Sequence, residues 1–149
     1  MKFIAGIPAD NRARICQIEQ AIKDTPGSLG KDPFPLKHNF APGLYAREIT
    51  VPAGMLIATQ LHQTEHFIFM LKGEVSIFSE EGISRVVGPV MLRSPFGAKR
   101  IVYTHQETVW INVHSNPENI TDLERLEEKY IAHNYEELAL HEGGQKCLG

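Results

Sequence analysis

Between residues 44 and 114 the chain divides into about eight short runs rich in β-branched and aromatic residues, at 44–51, 55–62, 66–71, 74–78, 84–87, 90–92, 99–103 and 108–114. The breaks between them read "PAG", "QTE", "KG", "SEEG", "GP", "SPFG" and "THQE", all turn-forming chemistry. Strands this short and this evenly punctuated, with no helical periodicity among them, predict a closed barrel or sandwich and exclude a parallel α/β sheet. At 149 residues with 42% hydrophobic content, the chain is one domain with one core of ordinary size.

The flanks differ in texture. From Asp10 to Lys23, Ile15, Ile18 and Ile22 recur at helical spacing, with Asp10 placed to cap the helix. The following stretch, 26–43, is rich in proline and glycine and reads as an extended strap over the surface. After "SNPEN", Leu123, Leu126 and Tyr130 share a helical face and Thr121 with Glu124 forms a capping box. A further helical turn is expected over 134–140, then a tail that frays. The organisation expected is a helix and strap at 1–43, the barrel at 44–114 and a helical segment at 115–149.

A formal charge of −3 and a pI near 6.2 give no general attraction to nucleic acid or an anionic membrane. No stretch approaches the ~20 apolar residues of a membrane span, and the opening "MKFIAGIPADNR" is too short in apolar residues for a secretory signal. Cys16 and Cys147 have no metal-type spacing. The setting expected is therefore cytoplasmic, with a small molecule as partner rather than nucleic acid or membrane.

Within this apolar β region, the segment "GMLIATQLHQTEHFIFMLKG" carries Gln60, His62 and His66. Polar groups in apolar strands must be hydrogen-bonded, ligated or at a cavity mouth. If "QTE" is a tight connection, the three converge at one end of the barrel, where they form a plausible ligand site. Their spacing is Gly54, five residues, Gln60, Leu61, His62, three residues, His66, six residues, Gly73; farther on come Gly88, six residues, Pro95, Gly97, two residues, Arg100, three residues and Thr104. This framework, over roughly residues 43–114, resembles the cupin family, whose motifs are G(X)5HXH(X)3-4E(X)6G and G(X)5PXG(X)2H(X)3N. The resemblance implies a mainly β fold, a single cupin-type jelly roll with flanking N-terminal and C-terminal helices, and pairing of two chains through a sheet. The segments "FAPGLYAREITVPAG" and "ETVWINVHSNPENITDLERLEEKYI" are similar to small single-domain cupins of tailed-phage and bacterial genomes, which implies a phage-encoded protein in the host cytoplasm or the virion.

By the same resemblance, the three histidines and one glutamate that hold a metal in cupins correspond to Gln60, His62, His66 and Arg100. Only His62 keeps its family identity. Gln60 is a weak neutral donor, and Arg100 stays protonated and cannot ligate. At an effective dielectric near 20, a guanidinium ~5 Å from a divalent cation costs about 6–7 kcal/mol, whereas it holds a carboxylate or phosphate through two parallel hydrogen bonds.

The first expectation is thus a non-catalytic binding protein for a small anionic or polar ligand, with Arg100 supplying charge, His62 and His66 donating, Gln60 orienting, and no cofactor. The second is a metal-dependent enzyme, an oxygenase or isomerase, in which His62 and His66 hold a divalent transition metal with a third ligand. His105 is the candidate for that third ligand, against strand parity. The third is a phage virion or assembly component. Structural readings stand beside these: the histidines as core groups satisfied locally, Arg100 as half of a salt bridge, Arg93 and Lys99 as a basic rim, and Trp110 and Phe67 as core or interface. The run "FIFML" is apolar on both strand faces and needs a cover, either the N-terminal helix and strap or a second copy in a homodimer.

Overall fold

The computed structural model describes residues 10–30 and 33–140. Eleven strands and two helices follow in the order α1 (Asn11–Asp24), β1 (Leu36–Ala41), β2 (Gly43–Val51), β3 (Leu56–Ala58), β4 (Leu61–His62), β5 (His66–Lys72), β6 (Glu74–Ser79), β7 (Gly82–Val87), β8 (Val90–Ser94), β9 (Ile101–Thr104), β10 (Thr108–Asn116), α2 (Leu123–Tyr130) and β11 (Ile131–Ala132). Residues 135–140 are helical again. All strand pairs are antiparallel, in a five-stranded sheet β1-β2-β10-β5-β8, a four-stranded sheet β3-β9-β6-β7 and a small pair β11-β4. The fold is a cupin-type jelly roll, mainly β, with helices at both ends. One strand of the large sheet, β1, comes from the segment read as a strap, because Leu36, His38 and Phe40 alternate as a strand requires.

The two sheets face one another across a core of Met70, Val75 and Val102, with Ile57, Ile77 and Trp110 packed against it. Strand register stacks the inward residues of the large sheet into layers. Tyr45 is opposite His114 and His66 is opposite Ser94; one layer on, His38, Arg47, Asn112 and Ile68 pair in turn; one further, Leu36, Ile49, Trp110 and Met70 do so. The barrel wall therefore grades from polar to apolar along its axis, a consequence of period-two patterning on four strands at once.

Asp10 caps α1, its carboxylate accepting from the Ala13 amide at 3.1 Å. The helix buries Ile15 and lies against β3, β6 and β9. Lys99, expected at a basic rim, is instead buried and bonds Glu19 of α1 at 2.8 Å, fastening the helix to the barrel. Arg93 is exposed and paired with Glu65 at 2.7 Å, so no basic rim forms. At α2 the cap is Asp122 rather than Thr121: its carboxylate accepts from the amides of Glu124 and Arg125. Gln63 donates to the carbonyls of Glu128 and Lys129 at the other end of α2.

Because α1 takes the four-stranded sheet, neither helix nor strap covers the outer face of "FIFML" among the described residues. Phe67, Phe69 and Leu71 are exposed there. Trp110 lines the interior. Cys16 is exposed, while Cys147 and the tail expected to fray lie outside the described residues. No helix among the described residues is long and apolar enough to cross a membrane.

Candidate metal and ligand site

His62 on β4, His66 at the start of β5 and His114 on β10 come together at the polar end of the barrel, with one possible ligating nitrogen from each within 4.8 Å of the others. The ring centroids are 4.6 Å apart for His62 and His66, 4.3 Å for His66 and His114, and 6.0 Å for His62 and His114. His114 lies between His66 and the ring of Tyr130, stacked 4.2 Å away. Tyr130 is in turn held by its hydroxyl donating to the Ser115 carbonyl at 2.6 Å.

The hydrogen bonding of these rings is incomplete. Nδ1 of His62 and Nδ1 of His114 are buried with no hydrogen-bond partner among the described residues. His66 has Nδ1 3.3 Å from the Thr64 carbonyl and Nε2 3.1 Å from Oδ1 of Asn112. A neutral imidazole has a single N–H and satisfies one acceptor only, leaving its other nitrogen as a lone pair for a cation, or for the Asn112 NH2 if that amide is turned over. Burial pushes all three imidazoles toward the neutral form. It pushes His114 down to about 3, reinforced by His66 and Arg47. It holds His62 well below the ordinary range, reinforced by His66, His114, Arg100 and Arg47. His66 is lowered as well, by burial and, to a smaller extent, by Arg100, against the opposing pull of its hydrogen bonds to Thr64 and Asn112.

Three neutral, desolvated imidazoles, two of them with an unpartnered Nδ1, are the donor set that a borderline transition cation takes. An uncompensated buried nitrogen costs about 1–3 kcal/mol, which ligation would relieve. These residues fit such an ion.

A cavity of about 800 Å³ opens beside the cluster. Its wall includes His62, Gln60, Asn112, Arg47 and Arg100 at the polar end, and apolar residues of both sheets beyond. A smaller cavity of about 280 Å³, under α2, shares Arg47, Gln60, His62 and Asn112 and adds His114, Tyr45 and Tyr130. The cluster thus stands where the two spaces meet. Gln60 reaches Glu127 of α2 at 3.5 Å. Arg100 is half-buried and donates to Ser94 Oγ at 3.1 Å; burial lowers its pKa without bringing it near deprotonation at neutral pH.

Of the residues singled out from sequence, Gln60, His62 and Arg100 line the larger cavity, and His66 joins His62 in the cluster. Glu65 faces outward, as strand parity requires. His105 takes no part: its Nε2 lies 2.7 Å from Ser76 Oγ, on the outer side of the four-stranded sheet. The third imidazole is His114, so the ring set is complete without position 100. The signal for it was the polar alternation Thr108, Asn112, His114 and Asn116 on one face of β10, which motif spacing alone passes over. Asn112, Ser94 and Arg47 were likewise not singled out.

No protein-family model matches the chain, and no curated protein matches its sequence. Solved structures do. Ectoine synthase from P. lautus superposes with a TM-score of 0.53 at 15% identity, over 74% of this chain and 83% of that one. KdgF from Halomonas sp. gives 0.49 at 14% identity, over 58% of this chain and 84% of that one. A cupin-2 domain protein from Shewanella frigidimarina gives 0.46 at 10% identity, over 55% and 80%. At 15% identity the likeness to ectoine synthase is one of fold.

Proposed function

We propose that this chain of cupin-type fold is a metal-dependent enzyme that acts on a small organic anion, with His62, His66 and His114 holding one divalent transition-metal ion. The observation that carries the reading is the cluster itself, the buried imidazoles of His66 and His114 and the half-buried one of His62 with ligating atoms within 4.8 Å, the Nδ1 atoms of His62 and His114 having no hydrogen-bond partner among the described residues. When bound, such an ion polarises a coordinated substrate oxygen as a Lewis acid.

The chain's own residues do the rest. Asn112 fixes the plane of the His66 ring, and Tyr130 fixes that of His114 by stacking. Arg100, tethered by Ser94, holds the charged end of the anion through its planar fork. Gln60 offers an amide to a second polar group of the ligand. The 6–7 kcal/mol repulsion estimated between guanidinium and cation at ~5 Å is offset once an anion stands in the field of both. Apolar walls keep water from the rest of the ligand.

Elemental analysis after zinc, iron or nickel supplementation tests the proposal. About one equivalent is expected in the wild type and little in His114→Ala or His62→Ala; less than about a tenth of an equivalent in the wild type would remove the metal. A second reading, a non-catalytic protein that binds the anion without an ion, is favoured by Arg100, which provides charge at the cavity wall unaided. Unchanged titration of organic anions after chelation, together with absent metal, would select it.

A further inference from the structure

We infer that α2 is the gate of the metal centre: the ion enters and leaves beneath this helix, not through the larger cavity, and an ion in place holds the helix down. This rests on the metal reading of the three imidazoles and adds a moving part to it.

The route follows from the walls to which the ligands belong. Of the three imidazoles, the larger cavity is lined by His62 alone, whereas the smaller one is lined by His62 and His114. Leu123, Leu126, Glu127 and Tyr130 of α2, with Ile131 just past it, form one side of the smaller cavity. Lifting α2 therefore uncovers two ligands at once. Loosening α1, which borders the larger cavity through Glu19, Ile22 and Lys23, gives access to His62 only.

The helix is held by residues that hold the ion and by their neighbours. Ile131 pairs with His62 in the two-residue ladder between β11 and β4. Gln63 donates from its side chain to the Glu128 and Lys129 carbonyls at 2.8 and 3.1 Å, and from its backbone amide to the Tyr130 carbonyl at 2.9 Å. Tyr130 stacks on His114 at 4.2 Å and donates to the carbonyl of Ser115, the next residue. A helix of eight residues is too short to persist in water unsupported, so α2 forms where these contacts and the burial of Leu126 keep it.

The coupling has a sign. With α2 down and no ion, Nδ1 of His62 and of His114 are buried without a partner among the described residues, and raising the helix lets water reach them. Ligation removes that gain from opening. An ion thus favours the docked helix, and by reciprocity the docked helix favours the ion.

Two helix caps separate the routes. Asp122 caps α2 and Asp10 caps α1, each through a carboxylate that accepts backbone amides. The full chain is loaded with zinc, and release is timed after adding EDTA, at a concentration where the rate no longer depends on it. Asp122→Ala is expected to speed release about fivefold, the equivalent of ~1 kcal/mol of lost capping, and Asp10→Ala to leave the wild-type rate. In hydrogen exchange, the amides of 123–132 should slow at least about tenfold on zinc loading, while those of the edge strand β7 stay unchanged. Equal β7 protection in Asp122→Ala and wild type shows that the variant folds. Release from Asp122→Ala at the wild-type rate, or Asp10→Ala as the faster of the two, would overturn the inference and leave the metal proposal standing. So would bound zinc with unchanged exchange over 123–132. Protein that takes up no zinc ends both.

Discussion

His114 has the largest consequences of any single side chain here. It is buried between the rings of His66 and Tyr130 and is pushed down to about 3 from the 6.5 of an exposed histidine. Its folded pKa is depressed, so below pH 6.5 the unfolded chain binds the extra proton and the native state does not. Stability is full above 6.5 and falls as pH drops toward 3, by about 1.4 kcal/mol per unit from this residue alone. His62 and His66 are shifted the same way and add to the loss. Urea melts of chelator-treated protein should show a clearly lower midpoint at pH 5 than at pH 7.5; equal midpoints would mean that the imidazoles are not desolvated as described. At this scale sequence was partly legible. His62 and His66 declared themselves as polar groups in an apolar run, and Arg100 through motif spacing. His114 did not, because its place beside them follows from the pairing of β10 with β2 and β5, a contact between residues about fifty positions apart.

Elements were read more completely than the site, for a physical reason: period and turn chemistry are local, while convergence of side chains is not. Strands β5, β6 and β10 and helix α1 lie close to where alternation and capping place them. β1 was missed, since its prolines and glycines at either end outweighed six alternating residues. The cap of α2 was placed one residue early, Asp122 winning over Thr121 as the stronger acceptor of two amides. Glycines of the motif do different work. Gly73, in the turn from β5 to β6, has φ +114°, and a Cβ there would lie 2.8 Å from Thr108 Cα. Gly54 has φ +80° with open space around it. Gly73→Ala should therefore cost about 2–5 kcal/mol, from backbone strain plus displacement of β10, and Gly54→Ala only about 1–2 kcal/mol. Chemical denaturation of the two variants separates the terms; equal losses would mean that the close approach at Thr108 does not matter.

At the scale of the whole molecule, α1 and the strap close one side of the barrel, α2 closes the polar end, and the outer face of the five-stranded sheet is uncovered among the described residues. Phe67, Phe69, Leu71 and Met91 are each between 37% and 56% exposed on or beside β5. The patch is bounded by ion pairs at both ends of that strand, Glu65 with Arg93 and Lys72 with Glu107, so a two-fold related copy meets both signs of charge. A homodimer through this face is expected in sedimentation equilibrium, with Phe69→Lys shifting it to monomer; a wild-type monomer at micromolar concentration would contradict it. Each barrel then keeps its own cavity and its own imidazole cluster, since these open on the interior and under α2.

The central claim is that three neutral imidazoles from β4, β5 and β10 form one metal centre. An anomalous-difference map from crystals grown with zinc tests it most directly. The account predicts a single strong peak about 2.0–2.1 Å from a nitrogen of each of His62, His66 and His114. A fully occupied zinc elsewhere in the chain, with no peak between those rings, would contradict it.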